Sequence, residues 1–242
     1  MSLIAENVAR VRGGLAQACE QSGRDPADVR LIAVSKTHPA SAVCEAIEAG
    51  VRDFGENRVE EAVGKIAEVA ALRGDAAIMW HMIGHIQSRK ARDAAPLFQA
   101  VHSVDGLKLA AKLAQAIPGD ERLRVLLECN VSGETSKGGF DMAGWQTDSA
   151  RLEQLAAVLR VMCDLTSLEV CGLMTMAPIA ADMEQTRPVF QSLRRLRDAL
   201  EQQTGQPLPE LSMGMTDDFP IALAEGATMV RVGRAVFGER NL

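Results

Sequence analysis

Tyrosine is absent from the 242 residues, and phenylalanine and tryptophan together make up only 3%. No phenol is on hand anywhere in the chain as an acid or a base. Long apolar runs are also missing. No stretch reaches the ~18 apolar residues of a membrane helix, and Met1-Ser2-Leu3-Ile4-Ala5-Glu6-Asn7 lacks the charged and apolar regions of a secretory signal. Positive charge is in short supply: 26 Lys and Arg against 32 Asp and Glu leave a net charge of −6. No overall field therefore attracts nucleic acid or an anionic membrane, and any anion must be held by a local site. The five cysteines (Cys19, Cys44, Cys129, Cys163 and Cys171) are odd in number and scattered, with no C-x-x-C. They read as reduced residues of a cytosolic protein, mostly packed in its core, with a catalytic thiol left open. Neither G-x-x-x-x-G-K-[ST] nor G-x-G-x-x-G occurs, and there is no repeat or low-complexity tract.

What the chain does have is a regular alternation of short apolar, β-rich runs with longer stretches of helical period, the pattern of a parallel sheet covered by helices. The spacing predicts strands at Leu31–Ser35, Arg52–Phe54, Ile78–Ile83, Ala100–Ser103, Arg124–Asn130, Glu169–Met174, Glu210–Met213 and Met229–Val232. Eight strands in a chain of this length, read as one domain over 1–242, are the count a closed α/β (β/α)8 TIM barrel needs; an open doubly wound sheet is the alternative. Ala40–Ala49 carries Val43, Ala46 and Ile47 on one stripe and stops at Gly50. Asp182–Gln203 aligns Met183, Val189, Phe190, Leu193, Leu196 and Leu200, with Arg194, Arg195 and Arg197 mostly on a solvated face. Residues 1–22 predict an extra N-terminal helix, weakened by Gly13-Gly14. Pro118-Gly119-Asp120 and Gly205-Gln206-Pro207 are turns between elements, not domain linkers.

In such barrels chemistry gathers where the βα loops converge, at the C-terminal ends of the strands. Those ends are rich in polar groups: Ser35-Lys36-Thr37-His38, Gly55-Glu56-Asn57-Arg58, Trp80 to His85, His102-Ser103, Asn130 to Glu134, Ser212 to Met215 and Arg231 to Arg234. Lys36 stands out among six lysines because it follows the apolar run Leu31-Ile32-Ala33-Val34, where a charge must be paired, neutralised or used. Lys65, Lys90, Lys108 and Lys112 fall in helical or loop stretches, where an exposed ammonium costs nothing. A partly desolvated lysine has a lowered pKa and can condense as the free amine with an aldehyde. The plainer reading has Lys36 reaching solvent or pairing with Glu56. Ser212-Met213-Gly214-Met215-Thr216-Asp217-Asp218 and Arg231-Val232-Gly233-Arg234 are glycine turns after the last two strands, where barrels recurrently bind phosphate. His81 and His85 are spaced i, i+4 but lack the H-E-x-x-H helix, so no metal site is expected.

These stretches resemble the pyridoxal-phosphate homeostasis family, whose barrel is shared with the N-terminal domain of bacterial alanine racemases. The matching segments are Ala33-Val34-Ser35-Lys36-Thr37, Phe54-Gly55-Glu56-Asn57, Trp80-His81-Met82-Ile83-Gly84, Gly172-Leu173-Met174, Leu211 to Asp218 and Met229 to Gly233, in order along nearly the whole chain. The resemblance implies pyridoxal 5′-phosphate (PLP) as cofactor, with Lys36 as the Schiff-base lysine and Ser212 a phosphate ligand. It also implies that the amides of Gly233 and Arg234 complete the phosphate cup, that Arg231 faces the pyridine nitrogen, and that Asn57, Met82 and Ile83 line the ring. Arg234 stands where a small hydroxyl residue is usual, either adding charge to the phosphate or pointing outward, and Arg58 stands where an aromatic residue is common.

An arginine beside the pyridine nitrogen keeps it unprotonated and weakens PLP as an electron sink. Racemases pair their lysine with a tyrosine, which this chain lacks; His81, His85 or a cysteine would have to stand in. No second domain is expected after the last strand. The expected function is therefore intracellular PLP homeostasis, as a carrier or buffer without efficient catalysis. A PLP enzyme with weak racemase or lyase activity is the alternative, and a phosphosugar or phosphate-ester enzyme without PLP a more distant one. Amino acids and PLP-dependent apo-enzymes are the candidate partners of a cytoplasmic monomer or weak homodimer, with no nucleic acid or membrane involved.

Overall fold

A computed structural model describes residues 2–74, 77–180 and 182–239. Its elements run α1 (Leu3–Gln21), β1 (Arg30–Val34), α2 (Ala40–Glu48), β2 (Asp53–Glu56), α3 (Val59–Arg73), β3 (Met79–Met82), α4 (Ala91–Ala94), β4 (Ala100–Val104) and α5 (Leu107–Ala114). They continue with β5 (Leu123–Asn130), β6 (Phe140–Asp141), α6 (Ser149–Cys163), β7 (Leu168–Met174), α7 (Arg187–Thr204), β8 (Glu210–Ser212), α8 (Phe219–Ala224), β9 (Met229–Val232) and α9 (Arg234–Phe237). Eight strands pair in parallel in the order β4-β3-β2-β1-β9-β8-β7-β5, and β4 pairs with β5 to close the barrel. The open doubly wound sheet is thereby excluded. β6 is an addition the sequence did not signal, a two-residue strand laid against the end of β5.

Alternation along the strands separates two kinds of interior. Outward residues such as Ala33, Phe54, Trp80, Val101, Leu211 and Val230 join the helices in one continuous core. Buried residues of the other parity include Ile32, His81, His102, Ser212 and Arg231, so the barrel's own interior is polar over much of its length. The helices face the barrel with the stripes expected of them: Val43, Ala46 and Ile47 on α2, and Phe190, Leu193, Leu196 and Leu200 on α7.

Two boundaries differ from expectation for physical reasons, and the extra helix is continuous. β2 runs on through Gly55 and Glu56, because parallel pairing to His81 and Met82 outweighs their low strand propensity. α7 begins at Arg187, since Asp182 caps a 3-10 turn over Met183–Thr186 through Glu184 N–H. α1 passes through Gly13-Gly14 unbroken; a side chain on Gly14 would begin 3.4 Å from the Phe219 ring of α8. Asn7 of α1 donates to the Val236 carbonyl at 3.0 Å, tying the extra helix to the last turn of the chain.

Candidate functional site

The turn that presents Lys36 is built from behind the barrel wall. β1 ends at Val34, and Thr37 adopts φ 67°, the one positive φ among the described non-glycine residues. A β-branched residue there stores about 1–3 kcal/mol of strain. The Thr37 N–H is held by the Glu61 carboxylate at 2.5 Å. Lys65 Nζ then gathers the Ser35 carbonyl (2.7 Å), Glu56 Oε1 (2.7 Å) and Glu61 Oε1 (2.8 Å), and Ser35 Oγ donates to Glu56 Oε1 at 2.6 Å. Burial pushes the Glu56 carboxyl up, with Lys65 and Ser35 pulling against it. Burial also opposes ionisation of Glu61, but Lys65 and the Thr37 amide hold it below the usual range. The expectation that Lys65 is an exposed ammonium is corrected: it is buried, and it takes the Glu56 partnership that had been open to Lys36.

Lys36, half-buried, shares a cavity of about 400 Å³ with Val34, His38, Gly233 and Arg234, within the range of small-ligand sites. His38 stacks on Phe237 of α9 at 5.0 Å between ring centres, closing one side. The cavity has room for a small phosphorylated aldehyde beside a backbone turn that carries no side chain at Gly233, and a second glycine turn follows β8. Gly233 opens α9 with no side chain, where a Cβ would lie 3.4 Å from Val34. Gly214 turns at φ 90°, where a Cβ would meet Ala222 at 2.6 Å, so only glycine lets the loop after β8 fold this tightly. Arg234 points outward, its Nη2 bonded to Asp217 at 2.5 Å with both side chains more than half exposed. A larger cavity, about 550 Å³, lies at the opposite end of the barrel beside Arg12, Arg30, Asp53, Glu210 and Thr228, away from the strand ends just described.

Inside the barrel a single file of polar contacts runs from that far end toward the C-terminal ends of the strands. Asp53 Oδ1 lies 2.9 Å from His81 Nε2, and His81 Nδ1 lies 3.0 Å from His102 Nε2. His102 Nδ1 is 2.8 Å from Ser212 Oγ, which accepts from Arg231 Nη1 at 2.6 Å. Arg231 Nη2 donates to the Thr175 carbonyl at 2.8 Å. Burial pushes the guanidinium down to about 10, so it stays charged at neutral pH. Burial also depresses His81 against the opposing pull of Asp53, and His102 further still, helped by His81 and Arg231.

Four residues expected at the site, His81, Ser212, Met82 and Asn57, make other contacts here. His81 has no exposed surface and both ring nitrogens are engaged, so it cannot reach a substrate as a second base. Ser212 is equally enclosed, and its hydroxyl meets Arg231 and His102. Met82 belongs to the outer core with Phe54 and Trp80, on the face of β3 opposite His81, so its side chain points away from the barrel interior. Ile83 is half-buried, within 3.1 Å of where a Gly55 Cβ would stand. Asn57 is locked to the next loop, since any Cβ on Gly84 would fall 2.3 Å from its carbonyl oxygen; it faces a depression beside His85 rather than the Lys36 cavity. No group of three or more potential ligands for a metal occurs among the described residues.

Glu128 is a further residue at the mouth that sequence reasoning passed over. It is buried under Gly138 and Gly139, and burial together with Asp105 raises its carboxyl while Arg231 pulls it down. Nothing in the run Leu126-Leu127-Glu128-Cys129 marks it except a carboxylate inside an apolar strand. Lys137, on the loop over Glu128, lies 3.7 Å from Glu134.

The family profile described as "Alanine racemase, N-terminal domain" matches residues 7–241. The pyridoxal phosphate homeostasis protein of Pseudomonas aeruginosa is 46% identical over 242 residues, covering 100% of this chain and 97% of that one. The Escherichia coli K12 protein of the same description is 41% identical over 244 residues, covering 100% and 98%. Among solved structures, PipY of Synechococcus elongatus PCC7942 with PLP bound superposes at TM-score 0.77 with 38% identity, over 97% of this chain and 100% of that one. With its strand order, its βα loops and these full-length relatives in agreement, the chain belongs to the pyridoxal phosphate homeostasis protein family, built on the alanine racemase N-terminal fold.

Proposed function

We propose that this protein binds PLP covalently through Lys36 and serves as a carrier or buffer of the cofactor in the cytoplasm, without efficient catalysis. The observation that carries the reading is the strained turn that delivers Lys36 into the cavity shared with the Gly233 turn. PLP, when bound, supplies an aldehyde to the lysine amine and an electron sink to any amino acid that displaces it. The chain's own groups do the rest. Lys36 provides the nitrogen, and the backbone N–H groups of Gly233 and Arg234 would donate to the phosphate without a lysine cradle. Arg231, charged and held from inside the barrel, would face the pyridine nitrogen and keep it unprotonated. Full-length relatives described as PLP homeostasis proteins, and the PLP-bound PipY, support the cofactor's identity.

Borohydride reduction followed by peptide mass spectrometry tests the assignment. The adduct is expected on Lys36, and an adduct found only on Lys137 would overturn it. A weak catalytic role has one specific observation in its favour, the raised carboxyl of Glu128 at the mouth. Exchange of the α-proton of L- or D-alanine in deuterated water, read by NMR, is expected to be negligible. Rapid exchange that disappears in both Lys36→Ala and Glu128→Gln would make this an enzyme.

A further inference from the structure

The polar file through the barrel has two ends of fixed character, and these decide every proton between them. At the far end Asp53 sits 3.6 Å from Arg30, and as a carboxylate it can only accept. At the cofactor end Arg231 can only donate. Burial disfavours the imidazolium form of both rings, and their 3.0 Å ring-to-ring contact needs one nitrogen without a proton. Each therefore carries one proton, and its tautomer is set by what the neighbour demands. His81 must place its proton on Nε2, toward Asp53; the other tautomer would set a bare lone pair against a carboxylate at 2.9 Å. His81 Nδ1 is then an acceptor, so His102 donates from Nε2 and accepts at Nδ1. Only Ser212 can supply that proton. Its oxygen is left to accept from Arg231.

We propose that Asp53 is a positioning residue for the cofactor site: through the His81 and His102 tautomers it commits the Ser212 proton inward, making Ser212 an acceptor that aims Arg231 rather than a donor to the phosphate. This rests on the PLP reading above only where Arg231 meets the ring; the proton order holds in the protein alone. The charged groups facing the two histidines are Asp53 and Arg30 from β2 and β1, Arg124 from β5 and Arg231 from β9. None of them offers a competing acceptor to Nδ1 of either ring. Asp53→Asn keeps the shape but can donate through its amide, so it removes the requirement that fixes the direction.

The first test uses the PLP-free protein labelled with ¹⁵N at histidine. Long-range proton–nitrogen correlation at neutral pH should show His81 and His102 both as the Nε2–H tautomer, and Asp53→Asn should convert at least one of them to Nδ1–H or to a mixture. Either ring found as Nδ1–H or doubly protonated in the parent would overturn the proposal, as would unchanged tautomers in Asp53→Asn. The second test loads PLP. Asp53→Asn should still give the reduced Lys36 adduct but with a shifted absorption band, and Ser212→Ala should reproduce that shift while losing less than about tenfold in PLP retention. A parent band in both variants would refute the link to Arg231, and a large loss of PLP retention in Ser212→Ala alone would return Ser212 to the phosphate. If the parent takes up no PLP at all, the cofactor reading fails while the tautomer result stands or falls separately.

Discussion

Two polar clusters flank the β1–β2 wall, and they do opposite things with charge. Outside the wall, Lys65 holds Glu56, Glu61 and the Ser35 carbonyl in an ion-paired clamp that forces the Thr37 turn. Inside it, Asp53, His81, His102, Ser212 and Arg231 form a file whose middle members are neutral and whose charges sit only at the ends. The clamp fixes where a backbone goes, and so where Lys36 points. The file fixes where protons go, and so how Arg231 is presented. A buried ion pair contributes little when intact but leaves a costly orphan when broken. A neutral file costs less to interrupt, because each member loses one hydrogen bond.

The sharpest way to break this contrast is Lys65→Met, which strands a fully enclosed Glu56. It is expected to cost about 3–5 kcal/mol in urea unfolding, and to reduce covalent PLP capture because the turn before α2 loosens. Asp53→Leu should cost less, about 1–3 kcal/mol for an imidazole left without its acceptor, with Lys36 still reactive toward borohydride-trapped PLP. Equal costs for the two would mean the clamp and the file are energetically alike.

Protons offer a finer separation. The folded values of His81 and His102 lie below their unfolded value of about 6.5, so the unfolded chain binds more protons in that window. Stability is then fully present above about pH 6.5 and is lost as pH falls through it. Urea midpoints of the PLP-free protein should fall between pH 7.5 and 5.5, and a His81→Gln/His102→Gln variant should lose that slope. The carboxyls of Glu56 and Glu128 are raised instead, so their contribution runs the other way and is lost as pH rises through their folded values. The smallest effect belongs to Arg234→Ala, which removes an exposed pair and should change stability by less than about 1 kcal/mol. Unchanged PLP retention, measured by gel filtration and absorbance, would confirm that only its backbone amide matters.

Patterning alone determined the alternation of strands and helices, the count of eight that closes a barrel and the extra first helix, and it set Lys36 apart from the other lysines. Each follows from local periodicity or from a charge set directly after an apolar run. Gly214 after β8 was legible for the same reason, since a turn that admits no Cβ leaves its mark in the residue itself. What tertiary structure alone decided is which polar groups share an interior. Lys65 and Glu61 sit four apart on α3, an ordinary surface pairing by sequence, until packing on β1 and β2 buries one and turns the other to Thr37. Asp53, His102, Ser212 and Arg231 lie on four different strands, and no spacing relates them. Only barrel closure, with each strand sending alternate side chains inward, joins them through His81 into a file whose successive members lie within 3.0 Å and gives each hydroxyl and imidazole proton a single place to go.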